Sequence, residues 1–234
     1  MNFKRRKMSL VGKVGAVMLL GIGFMGFSPS VAPNTCVVSA AEIEINESFY
    51  FPATKTLNIP PIQGGDTIKI SLSDDIKKQV ENVRIANGIT VLPKNAFRYF
   101  SKLTSVTIPP SVISIEECAF LCCESLTSVT IPSSVISVEE CAFLCCESLT
   151  SATIPPSVIS IGDWAFAGTD LTSVEIPPSV ISIGENAFRS CKNLTSVSLP
   201  QKFIGNVDNI FFDCSIPNIL FLQTERKVTP LCIK

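Results

Sequence analysis

Leu103–Ser125 reads LTSVTIPPSVISIEECAFLCCES, and Leu126–Ser148 reads LTSVTIPSSVISVEECAFLCCES. The two match at 21 of 23 positions, differing only at Pro110/Ser133 and Ile115/Val138. Self-similarity at a fixed period of this size is the signature of a stack, in which each unit buries its apolar face only against its neighbours. Carried outward, the register gives units beginning at Val80, Leu103, Leu126, Leu149, Leu171 and Leu194, with steps of 23 residues except the 22 from Leu149 to Leu171.

The apolar columns keep that register. Three residues into each unit stand Val83, Val106, Val129, Ala152, Val174 and Val197, and two further on Ile85, Ile108, Ile131, Ile154, Ile176 and Leu199. Alternation enriched in β-branched residues predicts a short strand. Pro109, Pro132, Pro155, Pro177 and Pro200 then end it, because proline has no N–H for a ladder. The second half of a unit carries Val-Ile-Ser-Ile and then an Ala-Phe pair, whose column is Phe97, Phe120, Phe143, Phe166, Phe188 and Phe211. Polar pairs before it, such as Glu116-Glu117 and Gly162-Asp163, predict the start of a helical turn. Three residues after each Phe come Phe100, Cys123, Cys146, Thr169, Cys191 and Cys214.

These columns resemble the BspA-like leucine-rich repeat, with its Leu-x-x-Ile-x-Leu/Ile-Pro, a following Ile, and Ala-Phe-x-x-Cys, over residues 80–214. The resemblance implies an α/β repeat solenoid of about six 23-residue units. Its parallel β-strands lie on one face, and short turns or helical turns on the other. Departures fall at the ends: Phe100 in the Cys column, Ala86 for the first Pro, and Ile210-Phe211 for Ala-Phe. Residues 42–79 fit the register poorly and read as an N-terminal cap over the open edge of the first unit. The repeat domain then spans 80–218 and a C-terminal cap 219–234.

Residues 1–41 stand apart. A basic start (Lys4, Arg5, Arg6, Lys7, Lys13), the apolar run Val14–Phe27 and small residues up to Ala41 form the three-part pattern of a secretory signal peptide. An uncleaved anchor is the alternative. After cleavage no membrane span is expected, because the apolar run is shorter than the roughly 20 residues a span needs. Cleavage would remove five basic residues and leave 14 Lys+Arg against 20 Asp+Glu, a net charge near −6. That balance argues against nucleic acid or an anionic membrane as partner. A secreted or cell-surface location follows, and with it an oxidising environment for ten cysteines.

Cys118, Cys122 and Cys123 are mirrored by Cys141, Cys145 and Cys146. Three readings stand open for them: packing, disulfides and a thiolate metal site. Against a metal, the spacing is C-x3-C-C and the chain has no histidine, so no metal or cofactor is expected. Cys123 and Cys146 occupy the family's buried Cys column. Cys118 and Cys141 share a column with Asn95, Trp164, Asn186 and Asn209. Equivalent positions in adjacent coils lie about 5 Å apart, which brings Cys118–Cys141 and Cys122–Cys145 within reach of a bridge.

Without histidine the common nucleophile–base systems are missing, so no catalytic residues are assigned and no enzyme is expected. The remaining candidate is the outward strand face with Thr104, Thr107, Thr127, Thr130, Thr150, Thr153, Thr172 and Glu175, joined by Trp164 beside the short unit's irregularity. The expected function is protein–protein interaction with an extracellular or cell-surface partner. The resemblance implies adhesion to host, matrix or neighbouring-cell proteins. The alternatives are a structural surface coat, or an ordered-surface binder of glycans or ice through the Thr/Ser ladder.

Overall fold

The computed structural model describes residues 42–62 and 67–222, all within one unit. The segment expected as a signal peptide and most of the expected C-terminal cap lie outside the described residues. The chain winds as a solenoid in which the coils beginning at Val80, Leu103, Leu126, Leu149 and Leu171 each contribute three layers: a front strand, a shorter side strand and a wall of turns. The coil beginning at Leu194 has Gln201–Asn206 and Val207–Ile210 in place of the side strand.

The front strands are Thr56–Ile59, Asn82–Ile85, Ser105–Thr107, Ser128–Thr130, Ser151–Thr153, Ser173–Glu175, Ser196–Pro200 and Asn218–Leu222, stacked parallel in that order. Their inward residues include the columns Val83, Val129, Val174 and Val197. Most end before their proline as expected. Pro200 is the exception, pairing with Leu222 at the last stacked strand. Hydrogen-bonded pairing is interrupted between Ser105–Thr107 and Ser128–Thr130, and again between Ser151–Thr153 and Ser173–Glu175.

The other side carries turns, and among the described residues helical turns appear there only toward the ends of the stack, at Asp74–Lys77, Gln201–Asn206 and Val207–Ile210; the middle coils have none. Val-Ile-Ser-Ile instead builds a second parallel ladder of two-residue strands, Val91–Leu92, Ser114–Ile115, Ser137–Val138, Ser160–Ile161 and Ser182–Ile183. After it the backbone alternates rather than coiling into a helix. Asn95, Cys118, Cys141, Trp164 and Asn186 all have φ between +56° and +61° except Cys141 at +55°. Four residues on, Tyr99, Cys122, Cys145, Gly168 and Ser190 are left-handed too. An α-helix requires consecutive right-handed residues, so this alternation excludes one. It turns backbone groups along the stack instead: Cys118, Phe120 and Cys122 donate N–H bonds of 3.0, 2.8 and 2.8 Å to carbonyls of the next coil.

The core is a set of columns filled by the same residue type. The phenylalanines stack at ring-centre distances of 5.1–5.2 Å from Phe97 to Phe211, and those from Phe97 to Phe188 are fully buried. Beside them the Cys column has a polar duty. Cys123 and Cys146 are fully buried, and each donates its S–H at 3.2 Å, to the carbonyl of Phe97 and of Phe120 respectively, adding a second bond to an acceptor that the turn already pairs with the N–H three residues on. In the 22-residue unit Thr169 takes this column and donates its hydroxyl to Phe166 O at 2.8 Å.

The segment 42–79, expected as a cap, contains edge strands and also an unforeseen coil. Tyr50–Phe51 pairs antiparallel with Thr56–Ile59 and closes the front edge, while Glu42–Ile45 pairs with Thr67–Ile70 beside the side ladder. Thr56–Ile59, however, already stacks in register on Asn82–Ile85.

Candidate functional site

Three surfaces run along the described coils, one for each layer. On the front, Thr104, Thr107, Thr127, Thr130, Thr150, Thr153, Thr172 and Glu175 are all exposed, as an outward pleat requires. They divide into two kinds. Thr104 and Thr150 spend their hydroxyls on the preceding coil, donating to Glu81 O at 2.9 Å and Thr127 O at 3.2 Å. Thr107, Thr130 and Thr153, one per coil, carry no such tie among the described residues. Where pairing is interrupted between Ser151–Thr153 and Ser173–Glu175, a cleft of ≈ 420 Å³ opens, lined by Thr153, Glu175, Ile154, Pro156 and Pro177.

Trp164 is not on that face. It sits in the left-handed column of the turn wall at φ +57°, with its N–H bonded to Glu185 O at 3.0 Å. There it joins two residues that sequence reasoning passed over. The Arg189 guanidinium lies 5.0 Å from the Trp164 ring centre and 4.9 Å from that of Phe212, which is 52% exposed. Such cation–π contacts contribute about 0.5–1 kcal/mol each at exposed sites. They hold three long side chains in a fixed arrangement, which lowers the entropy a partner must remove on binding. Arg189 forms no ion pair among the described residues. The signal was in the register: Arg189 and Phe212 share a column, and Trp164 is diagonal to Arg189 on the coil before.

Beside the side ladder runs a feature that the outward strand positions do not foretell. Ile113, Ile136, Ile159 and Ile181 are exposed by 45%, 49%, 42% and 68%, and form a ridge with one isoleucine per coil. Adjacent Val112 and Ile113 cannot both face inward from an extended segment, so the Val-Ile dipeptide itself foretells the ridge. Apolar lines of this kind mark contact surfaces in soluble proteins.

The four extra cysteines occupy the middle of the turn wall. Cys118, Cys122, Cys141 and Cys145 are half-buried free thiols, with Cys118 facing Cys141 and Cys122 facing Cys145 within hydrogen-bonding reach. Burial raises the pKa of all four thiols, Cys122 to about 11 and Cys141 to about 12; the facing thiol adds to the rise at Cys122 and Cys141 and opposes it at Cys118 and Cys145, while Glu117, Glu124, Glu140 and Glu147 nearby add to it. These are protonated thiols at neutral pH, unlike activated nucleophiles. Among the described residues no three His, Cys, Asp or Glu side chains come together in a way that would hold a metal ion, and no helix is long and apolar enough to cross a membrane.

A family model described as "BspA type Leucine rich repeat region (6 copies)" matches residues 75–180 and 161–232. Among solved structures the chain is similar to a leucine rich cell surface protein from Faecalibacterium prausnitzii A2-165, with 31% identity, a TM-score of 0.44, and coverage of 61% of this chain and 47% of that one. It is also similar to a Leucine Rich Repeat protein of T. pallidum, with 24% identity, a TM-score of 0.53, and coverage of 74% and 78%. The chain spans about half the length of the first; the second shows the shared fold alone. No curated protein matches the chain.

Proposed function

This chain belongs to the BspA-type leucine-rich repeat family, and from that premise we propose that it is a secreted or cell-surface protein that binds another protein, as in adhesion to matrix or to neighbouring cells. The observation that carries the reading is the Trp164–Arg189–Phe212 stack. Trp, Tyr and Arg dominate the energetics of protein interfaces, and this stack pre-orders two of these types beside an exposed Phe ring, whereas the outward positions of the front strands are mostly Thr and Ser. With its charge not engaged in an ion pair among the described residues, Arg189 calls for a carboxylate on the partner, and the two rings for an apolar side chain beside it. The signal-peptide pattern in residues 1–41 supports export.

A second reading places the contact on the front face, favoured by the cleft between Thr153 and Glu175. Attachment of the purified chain to individually purified matrix and cell-surface proteins separates the two. Trp164→Asn keeps a residue type already found in that column at Asn95 and Asn186. Combined with Arg189→Glu, it is expected to weaken saturable attachment by at least about 30-fold, the hot-spot scale. Thr130→Lys with Thr153→Lys should leave it within about threefold. The opposite pattern moves the contact to the front face. Self-assembly without saturable attachment to any of these proteins would make the chain a coat component instead.

A further inference from the structure

The turn wall repeats its surface thiols at the same height on two successive coils, apart from the Trp164–Arg189–Phe212 stack. Cys118 and Cys141 have φ of +56° and +55°, and Cys122 and Cys145 +57° and +58°. Equal backbone conformation in hydrogen-bonded neighbours sets each pair one coil apart, which is about 4.8 Å between strands and lies within the 4.4–6.8 Å that a disulfide needs between Cα atoms. The coils are already tied at these residues. Cys118 N–H reaches Glu140 O at 3.0 Å, and Cys122 N–H reaches Leu144 O at 2.8 Å.

We propose that Cys118–Cys141 and Cys122–Cys145 close as two disulfides that staple the coils beginning at Leu103 and Leu126. The proposal takes its oxidising environment from the extracellular reading above, but its geometry is independent of that reading. Near-parallel Cβ directions leave the Cβ atoms slightly farther apart than the roughly 3.5–4.5 Å of a relaxed bridge. Closing one pair therefore draws the two turns together and shortens the gap for the other. The buried thiols of the same stretch stay out of the reaction. Cys123 and Cys146 are inaccessible, and their S–H groups are held by the Phe97 and Phe120 carbonyls.

The chemistry is thiol–disulfide exchange with a small-molecule or protein disulfide as oxidant. One thiol of a pair, as thiolate, attacks a sulfur of that disulfide and expels one thiolate. The facing thiol, deprotonated in turn, attacks the resulting mixed disulfide and expels the second. Two electrons pass to the oxidant, whose two sulfurs leave as thiols carrying the two protons. Cys118 is the attacking group of its pair, because Arg98 and Lys94 beside it favour the thiolate that burial and Glu117 oppose, while Cys141 faces Glu117 and Glu140. In the other pair Glu124 stands by both thiols and Glu147 by Cys145. Closure should therefore be slow at neutral pH and quicken roughly tenfold per pH unit below the thiol pKa values.

Oxidation of the full chain by glutathione disulfide at pH 7 and 9, alkylation of the remaining thiols in denaturant, and cleavage after glutamate test this directly. The cleavage yields Cys118–Glu124 and Cys141–Glu147, both CAFLCCE. Two inter-coil bridges give a covalent dimer of this peptide carrying one alkyl group on each half, and Cys141→Ser leaves a dimer joined once, with Cys118 alkylated. Monomeric CAFLCCE, whether fully alkylated or bridged within itself, overturns the proposal. Because no binding partner enters the measurement, its failure is separate from failure of the adhesion reading.

Discussion

Phe143→Ala is expected to lower the free energy of unfolding by about 3–5 kcal/mol, the usual range for emptying a phenylalanine site in a core. Phe143 is fully buried at mid-stack, 5.1 Å from Phe120 at an interplanar angle of 4°, and 5.2 Å from Phe166 at 10°. Truncation leaves a void between two parallel rings that stay where they are, because each is held by its own coil's turn bonds. The remaining neighbours cannot collapse sideways, since the same column continues above and below. In a stack, the lost interfaces also uncouple the coils on either side, so equilibrium denaturation should lose cooperativity as well as midpoint. Phe211→Ala, at the end of the column with a single stacked partner, should cost less. A loss below about 1 kcal/mol at Phe143 would be far below the scale for a buried phenylalanine and would refute the register.

Gly88→Ala should be similarly damaging for a backbone reason. Gly88 has φ +109°, and a β-carbon there would fall 1.9 Å from Ile62 O. Its N–H also donates to Ser111 Oγ at 3.1 Å, so the turn cannot swing away without losing that bond. Left-handed strain alone costs on the order of 1–3 kcal/mol for a residue with a side chain. With a carbonyl in the way, a total of about 3 kcal/mol or more is expected. Hydrogen exchange should locate the loss at the N-terminal coils. Gly205→Ala, whose added carbon meets nothing within 4 Å, is the control and should change stability by less than about 0.5 kcal/mol.

Much of this was readable in the sequence because column filling is a property of residue type. The Phe, Val and Ile columns each repeat one side chain at one period, and the structure stacks them in that register. The turn wall was not readable in the same way. Glu116-Glu117 before Ala119-Phe120 has the local chemistry of a helix start, and cysteine or tryptophan does not announce a positive φ. The signal lay in their column-mates: Asn95 and Asn186 in one left-handed column and Gly168 in the other are residue types that tolerate such backbone. The early coil was missed because Thr56–Ile59 stacks 26 residues from its partner, outside the 23-residue period, although Leu57-Asn58-Ile59-Pro60-Pro61 has the strand-and-proline signature. The grouping of Trp164 with the front-face threonines failed for a geometric reason. A unit's irregularity was treated as one place, whereas a coil distributes it over separate walls.

The one-way hydrogen bonds of the turn wall have an electrical consequence. In the front and side ladders successive N–H groups point alternately up and down the stack, so their dipoles largely cancel. In the turn wall most inter-coil donors aim toward the C-terminal end and their acceptors toward the N-terminal end, as in Asn95, Phe97 and Tyr99 donating to Glu117, Ala119 and Leu121; Ser125 and Ser148, where the turns end, donate the other way. Added over successive coils, the wall is a permanent electret running along the solenoid, with a carbonyl rim at its start and an amide rim at its finish. At the start, Lys78 near Tyr99 and Lys69 near Ala96 are of the sign that rim attracts, while Lys77 and Lys94 beside them are ion-paired with Asp74 and Glu117.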